Sequence, residues 1–134
     1  MDINAENTAV ALTTQRVNGL AATFKTAPLD LNMVSAILPG KYDVALALSV
    51  LHHLTLRHGA GYVKQLVAKL LLRVPRLVVE LARRAEDVSF AWRESLPEDP
   101  LEIFSARSDI KVQHLANFAS HLSASVRPMY LIAR

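Results

Sequence analysis

Residues 44–48 of the chain, Val-Ala-Leu-Ala-Leu, are apolar without a break, with Pro39-Gly40, Tyr42 and Asp43 before them and Ser49, His52 and His53 soon after. A short run that is apolar on both faces predicts a central strand of a parallel sheet. Open α/β sheets bind ligands just outside the carboxyl ends of such strands, so Ser49, His52 and His53 stand where chemistry is expected. A period near 3.6 governs the start of the chain instead. Ala5, Ala9, Leu12, Thr13 and Val17 recur at helical spacing, with Asp2 or Asn4 to cap and Asn18-Gly19 to stop, which predicts a helix over about 4–18. Leu20–Thr26 is β-prone, and Asn32–Ile37 follows a Pro28-Leu-Asp-Leu31 loop as a short helix.

The second half repeats the alternation. Tyr62, Leu66, Val67, Leu70 and Leu71 predict an amphipathic helix to about Arg73, ended by Pro75, and Arg76–Ala82 reads as a buried strand with Glu80 near its carboxyl end. Ser95–Pro100 is a turn-rich break before a short helix near Leu101–Ser105. Lys111–Phe118 and Pro128–Ala133, joined through residues 121–127, predict an antiparallel pair. The fold class is α/β.

Composition narrows the functional classes. At 134 residues the chain is one domain or part of one. The longest apolar stretch, Leu66–Ala82, is broken by Lys69, Arg73, Pro75, Arg76 and Glu80, well short of the roughly 20 residues a membrane span needs. The N-terminus shows no basic region followed by an apolar one, so no signal peptide is expected and the cytoplasm is the default location. Without cysteine there is no disulfide, thiolate metal site or cysteine nucleophile. His52, His53, His58, His114 and His121 include no HExxH pair, and no metal site is expected. Ser49 lacks the glycines of a GxSxG nucleophile turn. The net charge is +3, and Arg73, Arg76, Arg83 and Arg84 are interleaved with Glu80, Glu86 and Asp87, a solvated face rather than a nucleic-acid stripe.

The segment Lys41–Leu54, KYDVALALSVLHHL, resembles the fourth strand and following loop of class I S-adenosylmethionine-dependent methyltransferases, which often read "fDvv...svlHHl". Other segments match the family in order: an acid then a helix, a β-prone stretch, Asp30, LVVEL and a terminal hairpin. The resemblance implies that Asp2 accepts hydrogen bonds from the cofactor's ribose hydroxyls. It implies that Asp30 faces the adenine amino group while the Leu31 N–H reaches a ring nitrogen, and that Ser49 belongs with the cofactor-binding positions. An Asp at a helix start is also an ordinary cap, and both readings stand for Asp2 and Asp30. His53 matches the family position facing the cofactor or substrate pocket. If a base is needed His53 is the first candidate and its neighbour His52 the second, a histidine satisfying loop backbone being the alternative. The combination VELA...W..SLPEDP...HLS...RPMYL further resembles methyltransferase domains of bacterial surface-polysaccharide synthesis.

One part of the family pattern is missing. Its first strand and glycine-rich loop should precede Asp2, yet no GxGxG occurs, and Gly59-Ala-Gly61 lies in a different loop. The resemblance therefore implies a Rossmann-like, mostly parallel sheet with helices on both faces and a C-terminal antiparallel hairpin, incomplete at its N-terminal side. The implied function is S-adenosylmethionine-dependent methyl transfer to a small-molecule or saccharide acceptor. The alternative is a truncated, non-catalytic binding or scaffold module, with a partner chain as one way to complete the sheet. In the family the strand order is 3-2-1-4-5-7-6. An open gap would expose two inner edges, so Leu20–Thr26 is expected to pair directly and parallel with Tyr42–Leu48 through the 32–37 helix, filling the space the cofactor takes in the family.

Overall fold

Asn4 starts the first helix: its side chain accepts from the Glu6 N–H at 2.7 Å, and α1 runs Ala5–Asn18. Gly19 ends it in the left-handed region at φ 62, donating to the Gln15 carbonyl. The expected helix is present, but Val10 and Val17 are exposed and Thr8 is its buried residue. A second helix, α2, covers Leu31–Ser35, with Asp30 as its cap accepting from the Met33 N–H at 2.7 Å.

The computed structural model describes residues 1–86, 89–105, 107–120 and 124–134. They form two compact units, Met1–Ala36 and Ile37–Arg134. His121 and Asp87, both weighed in the sequence, lie outside the described residues.

Leu20–Thr26 does not form the expected strand. Its ladder contact is one isolated parallel bridge, Asp2 to Thr26, made by Asp2 N–H to the Lys25 carbonyl and Ala27 N–H to the Asp2 carbonyl. The expectation that this segment pairs with Tyr42–Leu48 is therefore corrected. The chain turns back on α1 instead: Leu20 N–H donates to the Gln15 carbonyl, and Gln15 Nε2 donates to the Ala22 carbonyl at 2.6 Å. Backbone groups that a ladder would need are already engaged, and the small side chains of Ala21 and Ala22 offer little apolar area to reverse that choice.

The second unit is built on a four-stranded sheet. Its elements in chain order are β1 (Ala45–Ala47), α3 (Leu51–His58), α4 (Ala60–Leu71), β2 (Arg76–Glu80), β3 (Lys111–Ala119) and β4 (Val126–Ala133), with short 3-10 turns at Ala91–Ser95 and Pro100–Phe104 between β2 and β3. The strand order is β1-β2-β4-β3. β1 runs parallel to β2, with Ala45 opposite Leu77 and Ala47 opposite Val79. β2 and β4 are antiparallel, with Leu77 opposite Ile132 and Glu80 opposite Met129. β3 and β4 form the expected C-terminal hairpin.

The α/β class and the terminal hairpin are as the sequence indicates. The sheet itself is mixed rather than mostly parallel, with one parallel and two antiparallel pairings among the described strands. Its core follows from the two periodicities. α4 buries Val63, Leu66, Val67, Leu70 and Leu71 on one face, and all of these but Leu70 join Leu77 and Val79 of β2 and Ile132 of β4 among the most buried side chains.

Two expectations around β1 change. The expected central strand is a three-residue strand at the sheet edge, with Leu46 67% exposed and Val44 and Leu48 also exposed. The histidines expected in a loop belong to α3, because Leu51, His52 and Thr55 share a buried face at helical spacing.

Candidate active site

Because β1 and β2 are parallel and β4 runs against them, the residues just past β1, the end of β2 and the start of β4 meet at one end of the sheet. Ser49, Glu80 and Arg127 occupy these three positions. The Ser49 hydroxyl donates to the Glu80 carboxylate, 3.0 and 3.1 Å from its two oxygens. Arg127 Nη1 donates to Glu80 Oε1 at 3.0 Å and lies 3.4 Å from Ser49 Oγ. The other side of the guanidinium grips Glu86: Nε is 2.9 and 3.1 Å from its two oxygens, and Nη2 is 2.9 Å from Oε2.

Arg127 and Glu86 are both buried, and Glu80 keeps a side-chain exposure of 20%. Burial works against the charge on Arg127, but the hydrogen-bonded carboxylates of Glu86 and Glu80 outweigh it and raise the arginine's pKa. A buried pair of this kind is costly to break from one side, about 3–5 kcal/mol, because the remaining charge loses its partner.

An aromatic layer backs the ion network. The Arg127 guanidinium lies over the Trp92 ring at 5.6 Å. Trp92 is 4.7 Å from the His52 ring, and His52 is 4.2 Å from His53. Phe90 stacks on Trp92 at 5.9 Å and is itself exposed. His52 is buried, and among the described residues its Nδ1 has no hydrogen-bond partner. Burial, followed by the positive fields of His53 and Arg127, lowers its pKa to about 4. At neutral pH it is an uncharged ring, a weak proton acceptor beside the exposed His53.

The cofactor positions suggested in the first unit have different surroundings. Asp2 Oδ1 accepts from the Asn4 N–H at 2.8 Å and Oδ2 from Asn7 Nδ2 at 3.0 Å. Those two bonds, the Asn4 backbone first, lower its pKa. Asn4 rather than Asp2 is the cap of α1. Asp2 also lines a cavity of about 160 Å³ with Asn7, Thr8, Phe24 and Lys25. Asp30 caps α2, and Leu31 is that helix's first residue. Asp2, Asp30 and Leu31 thus lie in residues 1–36, whereas Ser49, His52 and His53 lie in residues 37–134.

Glu86, Trp92 and Arg127 were not singled out from the sequence as site residues. Glu80 stood in the sequence as a strand-end residue and a charge among the arginines, not as a site residue. The available signal was Arg127 just before Pro128 at the start of the last strand, and it acquires meaning once that strand is known to run against β2.

No protein-family model matches the chain. Two sequences of the O-antigen chain terminator bifunctional methyltransferase/kinase WbdD from Escherichia coli align with all but 1% of it, at 32% and 31% identity over 134 residues. The chain spans 18% of the length of these curated relatives. Among solved structures, a high-resolution crystal structure of WbdD matches with a TM-score of 0.88 and 32% identity, covering 98% of this chain and 29% of that one. A medium-resolution structure of the bifunctional kinase-methyltransferase WbdD matches with a TM-score of 0.88 and 31% identity, covering 98% and 28%.

Proposed function

This chain is homologous to WbdD along its whole length, and on that premise we propose that it forms part of an S-adenosylmethionine-dependent methyltransferase domain of O-antigen-type polysaccharide synthesis, working in the cytoplasm on a saccharide or other small-molecule acceptor. The observation that carries the reading is the joint match in sequence and fold, 32% identity with a TM-score of 0.88 over 98% of the chain. We take residues 1–134 as one partial domain, completed by the remaining length of a WbdD-like protein or by a partner chain.

The residues of this chain fit such a cofactor in character. Each oxygen of the Asp2 carboxylate takes one hydrogen bond, and a carboxylate oxygen has capacity for a second, as ribose hydroxyl donors require. The 160 Å³ beside it is less than the 300 Å³ at which small-molecule pockets usually begin, and suits a part of a nucleoside. Asp30 and the Leu31 N–H are assigned to the adenine edge, and Ser49 to the cofactor side of the sheet end.

When bound, the sulfonium cofactor supplies a methyl group already activated for transfer. Positioning is then the main task of the protein. Glu80, Glu86 and Arg127 together carry one net negative charge, two carboxylates against one guanidinium, which favours a cation nearby. His53, exposed at the first turn of α3, is our candidate base if the acceptor must lose a proton, with His52 second.

Calorimetric titration of this chain with S-adenosylmethionine and S-adenosylhomocysteine tests the reading. Micromolar affinity, about 8 kcal/mol, is the expected outcome. The alternative is a non-catalytic binding or scaffold module. Absence of binding at millimolar ligand would select it. Asp2→Ala is expected to weaken binding more than Asp30→Ala, since Asp2 is assigned both ribose hydroxyls and Asp30 only the adenine amino group.

A further inference from the structure

Ser49 is a non-glycine residue at φ 53, a conformation in which an L side chain is crowded unless its surroundings impose it. It stands in the short link between β1, which ends at Ala47, and α3, which begins at Leu51. Among the described residues no side-chain hydrogen bond caps the start of α3. Both the His53 and the Leu54 N–H groups bond to the one Val50 carbonyl. Something other than local capping has to hold this turn.

The buried ion network meets the turn from both sides. Ahead of α3, the Ser49 hydroxyl is bonded to Glu80, and Glu80 is held by Arg127. Within the first turn, His52 packs on Trp92, and Trp92 carries the Arg127 guanidinium on its ring. Arg127 is common to both paths, and its position is locked from behind by two-point contact with Glu86. We infer that Arg127 is a positioning residue: through Glu80 and Ser49 on one side, and Trp92 and His52 on the other, it fixes the β1–α3 turn and with it the exposed His53. The inference rests on the proposed methyltransferase reading only for what His53 then does.

Backbone hydrogen exchange reads the turn directly. Replacing Arg127 alone would strand the buried Glu86, so the variant to use is Arg127→Met with Glu86→Leu, an apolar pair that keeps the site filled. Exchange at the His53 and Leu54 amides is expected to accelerate tenfold or more, while the amides of Leu70 and Leu71 in α4 change less than threefold. Ser49→Gly separates the hydroxyl from the backbone, because glycine accepts φ 53 without strain. It should also loosen His53 and Leu54. Unchanged exchange there in Ser49→Gly, or uniform acceleration across the unit in the double variant, overturns the assignment.

A positioning role also predicts that the double variant loses tenfold or more in kcat for methyl transfer. Leu70→Val, a core change of similar thermal effect, should leave kcat within twofold. Equal losses in the two would mean that Arg127 acts on stability alone. Should the exchange results hold while the wild-type protein binds no cofactor, the turn assignment stands and the methyltransferase reading is what fails.

Discussion

His52 shows how a single side chain departs from its sequence reading. In the sequence it is one of two adjacent histidines in a motif; in the structure it faces the core, and its neighbour faces solvent. The buried ring has a folded pKa of about 4 against an ordinary 6.5. The unfolded chain therefore takes up this proton first as pH falls. Stability is unaffected above about pH 6.5 and is progressively lost down to about pH 4, by on the order of 2 to 3 kcal/mol. His52→Phe keeps an aromatic ring against Trp92 and removes the titration. Urea unfolding at pH 7, 5.5 and 4.5 should show a shallower acid decline in His52→Phe than in wild type, and parallel curves would contradict the assignment. Other residues were legible without coordinates. Asp30 is a cap, as its place before a helix suggests. Arg127 was not legible, since its partners are 41 and 47 residues away in sequence: the antiparallel register of β2 and β4 brings Glu80 to it, and the segment that follows β2 brings Glu86.

Among the elements, α1, α4, β2 and the hairpin follow from periodicity and caps, while the run Val44–Leu48 does not behave as its composition predicts. Continuous apolarity says that both faces of a strand are to be covered, but it does not say by what. Among the described residues β1 pairs only with β2, and Leu46 is left 67% exposed on a sheet edge. An uncharged apolar edge strand invites pairing between molecules, and nature usually guards such edges with charge. Leu46→Lys should therefore lower stability by less than about 0.5 kcal/mol in urea unfolding. It should also reduce concentration-dependent association in sedimentation velocity. A loss above about 2 kcal/mol would show that Leu46 is covered in solution.

For the whole molecule, sheet order was the least legible property, because it depends on what the chain leaves unpaired as much as on what it pairs. The expected inward move of Leu20–Thr26 weighed the cost of an open edge but not the competing claim of Gln15 on the same backbone. The outcome leaves two units of unequal strength. Thr8 and Val34 are the buried residues of α1 and α2 in Met1–Ala36, whereas Ile37–Arg134 holds the buried faces of α4, β2 and β4. A unit of 36 residues with so little apolar burial offsets its own chain entropy by only a narrow margin. Its amides should exchange near the unprotected rate while those of Val67 and Val79 are retained by the core. Asp2 lies in this weak unit, so a ligand that engages Asp2 must also order it, and mass action makes that ordering visible. Saturating S-adenosylmethionine should slow exchange in α1 by tenfold or more in the wild-type chain and far less in Asp2→Ala. Ligand binding that protects only the second unit would remove Asp2 from the cofactor site.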